Sequence, residues 1–553
     1  MQNINLKIAK VIFYFTLVFS FFFTELFYSS NFSPDFQTYY SFIDFNFQNV
    51  ETTNHGHGHL YYYIISFVIY LKSNLISELN IGSILNSSIQ LSNFLLFCFG
   101  LKGVFLLLKR HNISEFTSYI SMSVISFFPA SIIMRVWMKP EILAFALLPW
   151  IIVYSDNYFR DRKPKDLIFT IVPLCLVLQT KGSIFGMVSL FLFFKYIKKI
   201  IENKEIIYKV SIIFIFFFGI LYFENYNLNN IHLFDHRASD PENYNFKASF
   251  SFLTHINRLD FYYFPVFEYH NNSFIGITLL DTFGDYFNLS FNSDKAFFNY
   301  DALQITTNKF MKLYSREYVG LALSLILYML LGLGAFKNKR FRIFYIAPFI
   351  GMFILILNAY GIPSNNFDPS KGDTLKVHYY SFLLTISFIF IFARTVNNKR
   401  LVSFISLSLL TSCFIFIMGF PKIESSNINF YLNDKNTFTN LCPLGKVVVG
   451  SDKNCNQPVS ICDHNLYAES ISFEIITEKK VRTISENHIL KMQDRNNNII
   501  SVNNPNDCVK NLEDGVLLYN PIGKNLKIPP LINVLYLFIS LISGIFLKRI
   551  KTI

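Results

Sequence analysis

Asp35 stands in Asn31-Phe32-Ser33-Pro34-Asp35-Phe36-Gln37-Thr38-Tyr39-Tyr40, just beyond the first long apolar stretch of the chain. Tyr39 and Asp44 follow, then Asn54-His55-Gly56-His57-Gly58-His59-Leu60-Tyr61-Tyr62. Further polar groups break into apolar sequence later. Arg135, Lys139 and Glu141 fall in Met134-Arg135-Val136-Trp137-Met138-Lys139-Pro140-Glu141, and Lys181 in Leu178-Gln179-Thr180-Lys181-Gly182-Ser183. Lys376 and His378 fall in Leu375-Lys376-Val377-His378-Tyr379-Tyr380. Ionisable groups at a membrane boundary are costly unless they are used or reach water. Carboxylates gathered with cations there suit a reaction in which one partner loses a proton and the other releases an anionic lipid phosphate.

Each residue also has a purely structural account. Lys181 alone reads as a lysine snorkelling to the interface. Glu141 behind Pro140 reads as a carboxylate favoured by a helix dipole. Asp44 reads as loop solvation, and alternating His55, His57 and His59 in a Gly-rich loop read as polar loop ahead of metal ligands. What favours chemistry is that all these groups are predicted at one depth, on the face where basic residues are otherwise scarce.

The chain that must hold them is strongly apolar. Its 553 residues are 52% hydrophobic and 18% aromatic, with 65 Phe and 32 Tyr, and the mean hydropathy is +0.35. Apolar runs long enough to cross a bilayer recur throughout, which excludes an ordinary soluble domain. The net charge of +12 lies in short clusters between apolar runs rather than on one patch, which argues against a nucleic-acid partner. Spans are predicted at about Val11–Tyr28, Ile84–Leu108, Phe116–Ile133, Glu141–Tyr154, Leu167–Thr180, Ser183–Phe194 and Val210–Phe223. After a long polar loop come Tyr318–Phe336, Phe341–Leu357, Val377–Phe392, Leu401–Phe420 and finally Leu531–Leu547. That is about twelve crossings. Tyr61–Leu71 is too short to span and is predicted to lie at the interface.

With a cytoplasmic N-terminus, the inner connections carry about 23 Lys and Arg against about six in the shorter outer loops. This predicts a multi-pass integral membrane protein with both termini cytoplasmic, in a bacterial inner or plasma membrane. The outer face then receives loops 29–83 and 225–316 and the polar stretch 421–530. Cys442, Cys455, Cys462 and Cys508 all fall in that last stretch, an even cluster that suggests disulfides in an oxidising compartment, with three pairings open. The expected fold class is therefore an all-α polytopic membrane protein with an extracytoplasmic C-terminal domain that is α+β or mostly β. Residues 1–420 form the transmembrane module, 421–530 the outer domain, and 531–553 a final span with a basic tail.

The order of parts resembles the GT-C glycosyltransferases, polytopic enzymes that take sugars from polyprenyl-phosphate carriers. Within them it is most similar to the branch of protein O-mannosyltransferases and lipid A aminoarabinose transferases. The matching pieces are Asp35-Phe36-Gln37-Thr38-Tyr39, His59-Leu60-Tyr61-Tyr62-Tyr63, Glu141 at the start of a span, Thr180-Lys181-Gly182 and Lys376-Val377-His378-Tyr379. The resemblance runs in order over roughly the first 220 residues and thins out afterwards. Two features depart from the pattern: Phe36 replaces a second acidic residue after Asp35, and His57-Gly58-His59 replaces Lys-Pro-Pro. They leave the donor sugar and the metal open.

The resemblance implies that Asp35 is the general base for an acceptor hydroxyl, with inversion at the anomeric carbon. It implies that Lys181 and the Lys376/His378 pair neutralise the leaving polyprenyl phosphate, with Arg135 and Lys139 in support. Glu141 would orient the acceptor or, with Asp35, hold a divalent cation (Mg²⁺ or Mn²⁺). The acceptor would be a glycan, lipid or protein, and membrane lipids surround the whole. In the long loop, Asp281 and Asp285 of Leu280-Asp281-Thr282-Phe283-Gly284-Asp285-Tyr286 join carboxylates to aromatics, a composition that also suits an amphipathic surface helix but is read here, by a small margin, as binding the sugar donor or acceptor. Two other classes compete. An O-antigen-type polymerase or ligase would rely on an outer loop rich in Arg and His. A transporter or lipid flippase would place its ionisable groups at mid-membrane.

Overall fold

The computed structural model describes residues 2–27, 42–43, 46–47, 58–75, 81–203, 205–228, 274–283, 307–360, 377–395, 526 and 529–546, with short strands between 429 and 519. The helices are α1 (Gln2–Phe27), α2 (Leu60–Leu75), α3 (Ile81–Arg110), α4 (Glu115–Ile125), α5 (Pro129–Val136), α6 (Glu141–Asp161), α7 (Pro164–Leu178), α8 (Gly182–Glu202) and α9 (Glu205–Tyr222). A π-helical turn, Phe223–Leu228, extends α9. Then come α10 (Phe274–Asp281), α11 (Thr307–Lys337), α12 (Arg342–Tyr360), a 3₁₀ turn (Val377–Tyr380) leading into α13 (Ser381–Thr395), and α14 (Leu531–Phe546).

Among the described residues six helices are long and apolar enough to cross a bilayer, and the bent pair α4–α5 would make a seventh. The protein is thus a multi-pass helical membrane protein. The span predicted at Leu401–Phe420 and the four clustered cysteines lie outside the described residues. Strands between Asn429 and Tyr519 form a five-stranded and a three-stranded sheet.

Helix α6 is the axis of the bundle, buried along nearly its whole length. It packs closely on α3 because Gly100 leaves room. A Cβ there would lie 2.7 Å from the Phe145 ring and 2.9 Å from the Phe145 carbonyl oxygen, tighter than packed atoms tolerate. Phe97 stacks on Phe145 with centroids 5.3 Å apart. Beyond it Trp150 stacks on Phe99 at 5.0 Å and donates its indole N–H to the Phe99 carbonyl at 3.2 Å. In hydrocarbon, such aromatic packing and a satisfied indole replace the hydrophobic drive that lipid cannot supply.

The predicted span Phe116–Ile133 is not one helix. It breaks after Ile125 and resumes at Pro129, with a bend of 65°. Pro129 has no N–H to continue the ladder and constrains Phe128 to an extended backbone, so the chain must turn there. The carbonyls freed by the break need donors, and Arg135 supplies one. Its Nη2 donates to the Ser126 carbonyl, while Nη1 reaches Ser20 of α1 at 2.8 Å and the guanidinium lies 4.8 Å over Phe97. Arg135 therefore ties α1, α3 and the α4–α5 break together.

A cluster not anticipated from the sequence sits at the other end of α6. Asp156 lies 15 residues after Glu141, about 22 Å further along the axis. Its carboxylate accepts from Lys195 of α8 at 2.6 Å and from the Tyr196 hydroxyl at 2.6 Å, and lies 3.6 Å from Arg110 of α3. Helix α8 was expected to stop near Phe194 but runs on to Glu202. Asp156 gives Lys195 and Tyr196 a buried partner, so the helix continues without leaving a charge stranded.

His111, just past α3, is packed among Phe341, Phe344 and Phe390. Burial, reinforced by the positive charges of Lys195, Arg340 and Arg110 against Asp156, pushes its imidazole down to about 4. A depressed folded-state value means stability that is present above the ordinary value of about 6.5 and lost as pH falls toward 4. The drop should reach about 3 kcal/mol. We expect the thermal midpoint of the full chain in detergent to fall over this window, and His111→Phe to flatten that part of the profile.

Candidate functional site

The site forms where α5, α6, α8 and the 3₁₀ turn before α13 present their ends to one another. The α5–α6 turn is held from outside by two residues of apolar helices. Asn93 of α3 donates through Nδ2 to the carbonyls of Arg135 and Trp137, both at 2.9 Å. Tyr61 of α2 donates to Asn93 Oδ1 at 2.9 Å. Burial, with the Glu141 charge and against these hydrogen bonds, pushes the Tyr61 phenol well above its usual range, so it stays a donor. The Lys139 N–H closes the turn on the Trp137 carbonyl at 2.9 Å. Lys139 and Glu141 are in this way fixed at the start of α6.

The α7–α8 turn is fixed from the other side. Helix α7 ends with the N–H groups of Gln179 and Thr180 donating to the Leu176 and Val177 carbonyls at 3.0 Å. Gly58 lies directly against the turn: its N–H reaches the Thr180 carbonyl at 3.4 Å, and any Cβ there would overlap the Gln179 backbone. Lys181 then leaves the turn from an extended backbone as the N-cap of α8.

The side chains meet in one buried group. Lys181 Nζ bonds Glu141 Oε1 at 2.8 Å, with side-chain exposures of only 8% and 2%. Its ammonium also lies 4.4 Å from the Tyr379 ring centroid. Lys139 Nζ is 3.2 Å from His378 Nε2 and 5.7 Å from the same Tyr379 ring. With Lys139 charged, Nε2 accepts and the His378 ring proton sits on Nδ1. Trp137 packs its ring edgewise on His378 at 5.2 Å. The second Glu141 oxygen, Oε2, is buried with no hydrogen-bond partner among the described residues. Two ammonium groups, one carboxylate with an open oxygen, one imidazole and two aromatic faces are thus gathered at one end of the bundle. Such a set can neutralise a phosphate and accept a hydrogen bond from a hydroxyl.

Asp281 takes a place different from the surface carbohydrate contact considered above. It is buried, and its Oδ2 accepts the Val377 N–H at 2.8 Å. It therefore caps the turn that carries His378 and Tyr379. The next residue, Thr282, contacts the Tyr328 hydroxyl at 2.9 Å, which lies 3.3 Å from that of Tyr380. His59 is buried with its ring edge against Phe42 at 4.8 Å, and Phe42 stacks on Tyr62 at 4.6 Å. Among the described residues, the Arg135 donors reach Ser20, Ser126 and Ser131. Asp35, Tyr39, Asp44, His57, Asp285 and Lys376 lie outside the described residues. Among the described residues no group of three or more His, Cys, Asp and Glu could hold a metal ion.

Sequence reasoning brought Lys139, Glu141, Lys181 and His378 to one depth but missed Tyr61, Asn93 and Trp137 as their supports. Asn93 carried a readable signal, because an amide inside an apolar helix is costly unless it has a specific partner. No protein-family model, curated protein or solved structure matches the chain.

Proposed function

We propose that the protein is an inverting glycosyltransferase of GT-C type, moving a sugar from a polyprenyl-phosphate carrier to an acceptor hydroxyl at the outer membrane face. The observation that carries this reading is the convergence of Lys139, Lys181 and His378 around the Tyr379 ring, beside a carboxylate with an open oxygen. Burying two lysines in apolar surroundings is expensive, and a phosphate leaving group is the partner that makes it useful. Asp35 takes the acceptor proton, the freed oxygen attacks the anomeric carbon from the face opposite the phosphate, and the carbon–oxygen bond to the carrier breaks. The electron pair leaves with polyprenyl phosphate, whose charge the two ammonium groups meet. Glu141 Oε2 accepts from a sugar or acceptor hydroxyl, or holds a divalent cation together with Asp35. The rest of the reading is about twelve crossings, cytoplasmic termini and an outer domain over 421–530.

Binding is the direct test, because the chain holds only two tryptophans and Trp137 lines the cluster. Polyprenyl phosphate is expected to change the tryptophan fluorescence of the full chain in detergent, and the phosphate-free polyprenol to do so far more weakly. Lys181→Met and Lys139→Met should each weaken phosphate binding by about 10- to 100-fold, the worth of one charge-assisted hydrogen bond. Equal binding of phosphate and alcohol would sink the proposal.

A further inference from the structure

Lys181 has a second support that enters from the far end of the chain. Asn533, in the first turn of α14, accepts from Gln179 Nε2 through its Oδ1. The same oxygen accepts from Asn225 Nδ2 at 2.9 Å, and Asn533 Nδ2 returns a bond to Asn225 Oδ1 at 2.9 Å. All three amides are buried. The start of α14 is itself fixed, since Glu224 Oε2 accepts the Ile532 N–H at 2.7 Å. Lower down, the Tyr536 hydroxyl donates to the Phe217 carbonyl at 2.8 Å. Three distant segments, the end of α7, the π-helical turn after α9 and the start of α14, are therefore joined by side-chain amides, and Gln179 among them is two residues from Lys181.

We propose that Asn533 is a positioning residue for Lys181, acting through Gln179, so that the last helix is a working part of the site. Lys181 lies outside the regular ladder of α8, with φ −152° and ψ 146° and no side-chain cap. Helical geometry therefore does not fix the direction in which its side chain leaves. Glu141 holds the tip of the side chain, while its base is aimed by what holds the turn on either side: Gly58 pressed on the Gln179 backbone, and Asn533 bonded to the Gln179 side chain. Amides buried this way resist rearrangement because every broken bond leaves a polar group in apolar surroundings. Lys139 is held separately, by Asn93 and Tyr61 acting on the α5–α6 turn. The two lysines of one cluster thus depend on different parts of the chain. The consequence for ligand binding rests on the glycosyl-transfer reading; the clamp itself does not.

Site-resolved reductive methylation of the full chain in detergent, read by peptide mass spectrometry, tests the clamp without any ligand. Lys209, 63% exposed in a surface pair with Glu205, is the reference for an exposed amine. In the parent chain Lys181 and Lys139 should both react far more slowly than Lys209. Asn533→Ala should raise the rate at Lys181 about tenfold, the effect of about 1.4 kcal/mol of lost hydrogen bonding, and leave Lys139 unchanged. Gln179→Leu cuts the same contact while keeping the Asn225–Asn533 pair, so it should do the same even if Asn533→Ala folds poorly. Lys181 as reactive as Lys209 in the parent chain, Lys181 still protected in Gln179→Leu, or both lysines opening together would each overturn the proposal. A double-mutant cycle adds the functional half. Asn533→Ala should weaken polyprenyl-phosphate binding in the parent chain and have no further effect in Lys181→Met, whereas additive losses would mean that Asn533 does not act through Lys181. If the parent chain binds no polyprenyl phosphate, the glycosyl-transfer reading fails, and the methylation pattern alone decides the clamp.

Discussion

Lys181→Met is expected to destabilise the protein by about 3–5 kcal/mol, the usual consequence of removing one partner from a buried ion pair. Methionine fills nearly the same space, so the loss comes from Glu141 rather than from a cavity. Glu141 sits at 2% exposure with Oε1 bonded to Lys181 and Oε2 without a partner among the described residues. Stripped of the ammonium, its charge has nothing to balance the cost of desolvation. The double replacement Lys181→Met with Glu141→Leu should recover most of the stability, because an apolar pair of similar volume carries no desolvation penalty. It should recover none of the polyprenyl-phosphate binding. Thermal unfolding in detergent beside the fluorescence titration separates the two roles. A double variant as unstable as the single one would mean that the Lys181–Glu141 pair is not what holds these helix ends together.

Asp35→Asn is expected to reduce sugar transfer by about 10² to 10⁴, the range for a positioned general base, with folding unchanged. Asparagine keeps the volume and offers a hydrogen bond but cannot take the acceptor proton. Polyprenyl-phosphate binding should survive this substitution, since on the proposed reading the leaving phosphate meets Lys139, Lys181 and His378 rather than Asp35. That split, chemistry lost with the carrier still bound, distinguishes Asp35 from every lysine of the cluster. Transfer is measured as release of polyprenyl phosphate from a polyprenyl-phosphate sugar in proteoliposomes supplied with acceptor. Retention of more than a few per cent of the rate would remove Asp35 from the base role.

Several features were legible in residue order alone. Apolar run lengths identified a multi-pass helical membrane protein, because a bilayer accepts only segments that satisfy their own backbone. The helix starting at Glu141, the turn around Lys181 and the turn at His378 were each placed within a few residues of where they lie. Proline, glycine and charge at the ends of apolar runs are local signals, and local signals survive in sequence.

What residue order could not show was which side chains face one another. Lys181 and Glu141 are 40 residues apart and Lys139 and His378 are 239 apart, and no periodicity spans such distances. The same holds for Arg135, whose charge was grouped with the other cations by depth but whose guanidinium is used to satisfy the broken α4–α5 span. Asp281 read as a surface carboxylate beside aromatics and is a buried cap on the Val377 turn. Nothing in the sequence singled out Asp156 or its pairing with Lys195, yet the two bolt α6 to α8 at the end opposite Lys181 and Glu141. Sequence alone determined which segments are apolar helices and which polar groups stand at their ends, because apolar run length is counted along one segment. The tertiary structure decided which group would be its partner, because a buried charge must be matched by whichever helix end packing brings within about 3 Å.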